Sequence, residues 1–134
     1  MLMKSKLNPV VHFEMPYKDA KRVSEFYSKA FGWIMMDAGA QMGNYLVATT
    51  TKTKDMRPTT PGAINGGFYP LSSAPQSTAP SVVIAVDDIQ AAIEMVTDAG
   101  GQVLGEPIDI PTVGKYVSFV DTEGNRASLL QPKM

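Results

Sequence analysis

The chain has 134 residues, 44% of them hydrophobic, which suits one domain built around a single core. With 12 basic residues against 13 acidic ones, a net charge of -1 and no basic run, it lacks the electrostatic footprint of a nucleic-acid binder. The absence of cysteine excludes disulfides and thiolate metal sites and fits a reducing compartment; residues 1–6 have no apolar centre and read as neither signal peptide nor membrane span, so the expectation is a cytoplasmic protein.

Residues 9–15, PVVHFEM, are short, rich in Val and Phe and closed by Pro16, which argues a strand. Alternation puts Val10, His12 and Glu14 on one face and Val11, Phe13 and Met15 on the other, the packing face, so His12 and Glu14 lie where no helix covers them. From Asp19 an amphipathic helix follows, with Ala20, Val23, Tyr27 and Ala30 on its apolar stripe, Phe26 and Phe31 flanking it and Gly32 placed to end it. Residues 33–36 and 45–50 read as strands around a glycine-containing turn at 41–44. Residues 51–62 are polar, carry two prolines and read as a loop; residues 63–70, containing Gly66 and Gly67, read as a fourth strand.

Residues 71–80, LSSAPQSTAP, have linker composition. The same plan then repeats. A strand at 81–86 leads to a helix capped by Asp87, with Gln90 three residues on, that buries Ile89, Ala92, Ile93, Val96 and Ala99 and stops at Gly100 and Gly101. Strands follow at 102–105, 115–120 and 126–130, with a loop at 107–114 and a tight turn at 121–125. At a constant offset of 69 positions, Asp19, Glu25, Ala30 and Gly32 match Asp88, Glu94, Ala99 and Gly101. The fold class read from this is α+β: two β-α-β-β-β modules, about 8–70 and 81–132, sharing one core. Neither glycine pair opens a helix, so neither can cradle a dinucleotide phosphate.

The strand ending HFEMP, the helix end FYSKAFGW, the pair GGFYP, the junction VDDI, the stop AGG and the turn DTEGN together resemble the vicinal oxygen chelate superfamily. That is the group of glyoxalase I, bleomycin-resistance proteins and extradiol dioxygenases, and the resemblance covers about residues 8–132. It implies paired βαβββ modules whose curled mixed sheets form a shared cleft for a small molecule, commonly in a homodimer. It also implies, for the enzymes of the group, a divalent metal held by side chains on the first and last strands of the modules. Carried over by position, these are His12, its repeat partner Ser81, and Ser128, four residues past Gly124; the last strand of module one, INGGFY, offers no carboxylate, and Thr122 stands where proline is usual. No cofactor is therefore expected. A divalent metal would find His12 as its one acceptable ligand, with Glu14 able to add an oxygen.

Two functions stay open. The first is a metal-free protein that binds a small molecule through Trp33, Tyr45, Phe68, Tyr116, Ser81 and Ser128, although Trp33, placed after the helix stop, reads more readily as a packing anchor; Met35, Met36 and Met42 form an adaptable apolar wall or simply fill the core. The alternative is a glyoxalase-like lyase or isomerase, or a dioxygenase-like enzyme, using His12 as ligand or base with Glu14 assisting from about 7 Å along the same strand. Read for structure alone, His12 is a hydrogen-bonded strand histidine and Glu14 a solvated or salt-bridged carboxylate. Serine–histidine catalysis would need Ser81 or Ser128 beside His12, and no nucleophile elbow supports it. A homodimer is expected from the exposed edges of such sheets; nucleic-acid and membrane partners are not.

Overall fold

In the computed structural model, β1 (Val10–Tyr17) alternates as its sequence requires: Phe13 and Met15 join a core cluster, while His12 and Glu14 face the other way. The structure describes residues 6–74 and 77–133. Residues 1–5 of the N-terminal segment and residues 75 and 76 of the linker lie outside the described residues. Contacts divide the chain into residues 12–80 and a second unit of residues 1–11 with 81–134.

In the first of these, Asp19 accepts the N–H of Arg22 at 2.9 Å and so caps α1 (Ala20–Phe31), which Gly32 ends in the left-handed conformation at φ 73. Only Ala20, Val23 and Tyr27 of the stripe pack inward; Ala30 is exposed, as are Phe26 and Phe31. The chain continues through β2 (Ile34–Asp37), a single 3-10 turn at Ala40–Met42 and β3 (Leu46–Thr49). The segment read as a loop contains a small ribbon, β4 (Thr53–Lys54) against β5 (Arg57–Pro58), before β6 (Asn65–Pro70). β1 and β6 run parallel, and β6 with β3 and β3 with β2 antiparallel.

Leu46, Ala48 and Phe68 are buried between this sheet and α1, with Phe13, Met15, Trp33 and Met35 packed against them. Burying a side chain such as Phe68 contributes about 1.5–3 kcal/mol. Trp33 stacks on Tyr27 with ring centroids 4.6 Å apart, fastening the helix to the strand that follows it. A side chain at Gly66 would run into the ring of Phe13, so glycine here serves packing.

In the second unit, β7 (Ser81–Ala85) leads into α2 (Ile89–Asp98). The cap is Asp88, not Asp87: the Asp88 carboxylate accepts the N–H groups of Gln90 and Ala91, whereas Asp87 is exposed and pairs with Lys6. Asp88 and Asp19 share φ -137 and are the residues that the 69-position offset aligns. Ile89 is buried and Ala92, Ile93 and Val96 pack beside it, over Val86, Val117, Phe119 and Leu129; Ala99, at the helix end, is exposed. β8 (Gln102–Ile110) runs well into the stretch read as a loop. A register shift between Leu104 and Ile108, with Gly105 at φ 82, takes Pro107 out of the ladder, and β8 ends the strand order, where proline is tolerated. β9 (Gly114–Val120) and β10 (Arg126–Pro132) are joined by the 121–125 turn, whose Asp121 carboxylate accepts the N–H groups of Glu123 and Asn125; these bonds hold its pKa below the ordinary value.

β10 pairs with β7 in parallel and with β9 antiparallel, and β9 with β8 antiparallel, so each unit repeats the same strand plan with parallel first and last strands. Among the described residues no helix is long and apolar enough to cross a membrane.

Candidate functional site

On the face of module one turned away from α1, the register sets Glu14 opposite Gly67, Gly67 opposite Val47 and Val47 opposite Met36. His12 sits two residues before Glu14, opposite Asn65, and Ile34 two residues before Met36. Tyr45, two residues before Val47, reaches across this row. Its hydroxyl lies 2.9 Å from His12 Nε2, and its ring occupies the space that a side chain at Gly67 would fill. The tautomer decides whether the phenol donates to Nε2 or Nε2–H donates to the phenol. Burial lowers the His12 pKa, outweighing the opposing pull of the Glu14 carboxylate, so the imidazole is biased toward its neutral form.

Glu14 is buried, only 6% exposed, which removes the solvated one of its two structural readings, solvated or salt-bridged. Ile34 and Met36 are exposed at 68% and 60%, large apolar side chains alternating with the inward Met35.

Module two has the same geometry with different residues. Val83 lies opposite Ser128, and Ser128 opposite Ser118, so Ser128 holds the position that Gly67 holds in module one, and Tyr116, two residues before Ser118, corresponds to Tyr45. The Tyr116 hydroxyl is 2.8 Å from Ser128 Oγ, which also bonds Ser118 Oγ at 2.9 Å. Ser81 accepts from Arg126 Nη2 at 2.9 Å. Ser81 and Ser128 are both buried.

Of the contact residues proposed from sequence, Tyr45 is brought to His12, and Tyr116 to Ser128. Trp33 and Phe68 are not brought to this face: Phe68 is 1% exposed and Trp33 is stacked on α1, because strand alternation points both at the helix side. Sequence reasoning did not assign Ile34, Val47, Ser118 or Arg126 to the site; at Gly67 the glycine inside a strand was the signal that another group comes close, and it is the Tyr45 ring that does.

A sequence profile of the glyoxalase/bleomycin resistance protein/dioxygenase superfamily matches residues 10–129. The chain belongs to this superfamily. A glyoxylase-like domain-containing protein of Didymella fabae is 37% identical over 114 residues, 84% of each chain. The anthracycline biosynthesis protein DnrV of Streptomyces peucetius is 29% identical over 127 residues, and the chain spans 42% of that protein's length. Among solved structures, methylmalonyl-CoA epimerase from Mycobacterium tuberculosis superposes with a TM-score of 0.69 at 14% identity, covering 99% of this chain and 94% of that one, a likeness of fold.

Within the superfamily the test of a metal is the donor set. At the first- and last-strand positions this chain has His12, Gly67, Ser81 and Ser128. That is one nitrogen already bonded to a phenol, two hydroxyls bonded to neighbours and a residue with no side chain. A catalytic divalent ion ordinarily takes three protein ligands. Among the described residues no group of three or more His, Asp or Glu side chains is arranged to hold one. The four residues at these positions do not by themselves supply that set.

Proposed function

We propose that this member of the superfamily binds a small molecule on the face of module one turned away from α1, without a divalent metal. The His12–Tyr45 pair bonds the polar end of the molecule and Ile34, Met36 and Val47 offer an apolar wall beside it. The observation carrying this reading is the Tyr45 phenol lying over Gly67 on His12 Nε2, a hydrogen-bonding pair at the place where a carboxylate ligand would project. Two large exposed apolar side chains on the same face are the kind of surface that a ligand covers. The relationship to an anthracycline biosynthesis protein supports an oxygenated aromatic ligand.

The test is a thermal-shift and calorimetric screen of hydroxylated naphthoquinones and related aromatics against the full chain, Y45F and I34K/M36K, with elemental analysis of untagged protein. Binding weakened about tenfold in both variants, in protein without stoichiometric metal, is the expected result. Affinities unchanged in both variants, or one equivalent of metal lost in H12A, would overturn the proposal.

A second reading follows from a histidine biased toward neutrality beside a buried carboxylate: a lyase or isomerase in which His12 removes a proton from an acidic carbon and Tyr45 supports the developing oxyanion. Solvent deuterium entering a bound carbon acid in wild type and not in H12Q distinguishes it from binding alone.

A further inference from the structure

The β4–β5 ribbon and the residue before it carry three cations, Lys52, Lys54 and Arg57, against one acidic residue, Asp55. Lys54 pairs directly with Arg57 across the ribbon, and Lys52, two residues before Lys54, shares its face. Like charges placed opposite one another in a ribbon are destabilising. Among the described residues none of the three is in an ion pair. The two-residue turn between them, Asp55 and Met56, takes positive φ at both positions, 53 and 65, as a tight hairpin turn requires, and Met56 at the tip is 85% exposed. Three exposed cations gathered on one short ribbon, two of them directly opposite each other, form a surface that an anion would relieve.

The ribbon's position says which anion. Its base is closed by Thr59, whose N–H and hydroxyl both donate to the Lys52 carbonyl. The preceding Thr50 and Thr51 N–H groups both donate to Asn65 Oδ1, at 2.8 and 3.0 Å, and Asn65 is the residue opposite His12. The cations thus stand on an arm rooted at the His12 end of the row, Lys54 being about 10 Å of extended chain beyond Thr51. Arg57 supplies a planar fork suited to two oxygens of one group, and the lysines supply point charges. The geometry points to an anion-binding arm that takes an oxyanionic end, phosphoryl or carboxylate, of the molecule whose body lies on module one. Nucleic acid is not the occupant, because the chain's net charge is -1 and no further basic run extends the footprint.

This rests on the binding reading above only for the body of the ligand. The arm itself is tested without it, by 1H–15N NMR titration of the full chain with pyrophosphate and, separately, malonate. Expected are saturable shifts confined to residues 52–59, at least tenfold weaker in K54Q/R57Q and unchanged in K29Q on α1. Stronger binding of pyrophosphate assigns a phosphoryl end, and stronger binding of malonate a carboxylate. No saturable shift, or equal shifts around Lys21 and Lys115, overturns the proposal, as does pelleting with phosphatidylserine vesicles by a protein that ignores both anions. The aromatic screen can fail while this titration succeeds, and the reverse, so the two readings stand or fall separately.

Discussion

Tyr45 lies across Gly67, its hydroxyl on His12 Nε2 and its ring in the volume that any side chain at 67 would claim. The glycine is therefore a condition for the hydrogen bond. In Gly67→Ala the phenol, being the far end of a mobile side chain, swings aside and the bond is lost, costing about 0.5–1.5 kcal/mol. Tyr45→Phe removes the same bond directly. In a double-mutant cycle by urea unfolding, Y45F adds nothing measurable in the G67A background. Additive costs would show that the two residues act independently.

The pH dependence follows from His12, whose pKa burial lowers from the ordinary 6.5. Below 6.5 the unfolded chain takes up a proton at His12 that the folded chain resists, so stability falls as pH drops through the interval between 6.5 and the lowered folded value, then levels off. Above 6.5 this contribution is fully present. Melting curves between pH 7.5 and 4.5 for wild type and His12→Gln check it: the substitution flattens the portion of the slope due to this residue. An identical slope in both proteins contradicts it.

The two neighbouring aspartates at the start of α2 make a sharper contrast. Asp88 accepts two N–H groups of the first turn, and Asp88→Ala costs about 1 kcal/mol, or about 4 °C in melting temperature. Asp87 pairs with Lys6 where both side chains are well exposed, and Asp87→Ala changes stability by under about 0.5 kcal/mol. Differential scanning calorimetry separates them, and equal losses would mean that the cap is shared.

The duplicated plan was legible because it is written in periodicities: alternation at 10–15, helical spacing after Asp19 and glycine stops. The cap at α2 was misplaced by one residue because two aspartates adjoin, although the repeat offset had already paired Asp19 with Asp88. β8 was cut short at Gly105 because glycine and proline normally punctuate strands, and a bulge that spares Pro107 from the ladder leaves no local mark. At the site, His12 and Glu14 could be placed on one face from alternation alone. Phe68 is a candidate contact for being aromatic, but its parity directs it to the helix side, whereas Trp33 is the packing anchor that its place after the helix stop suggests. That Tyr45 fills the space over Gly67 depends on the pairing of three strands distant in sequence, which no window of the chain contains.

The proposed absence of a divalent metal yields the most direct measurement. A divalent ion held by the native state at a concentration of 100 times its Kd would add about 2.7 kcal/mol, a shift of several degrees in melting temperature. With His12 Nε2 engaged by Tyr45 and Gly67, Ser81 and Ser128 at the other positions, neither dialysis against EDTA nor addition of Zn2+, Ni2+ or Mn2+ to about 0.1 mM, 100 times a micromolar Kd, moves the transition by a full degree. A larger rise with one ion that vanishes in His12→Gln would mean that the phenol yields its place to a metal and that further donors gather around the histidine. In that event Tyr45→Phe, by releasing Nε2, would strengthen the ion's effect, so the same melting experiment on that variant tells a displaced hydrogen bond from nonspecific binding to surface carboxylates.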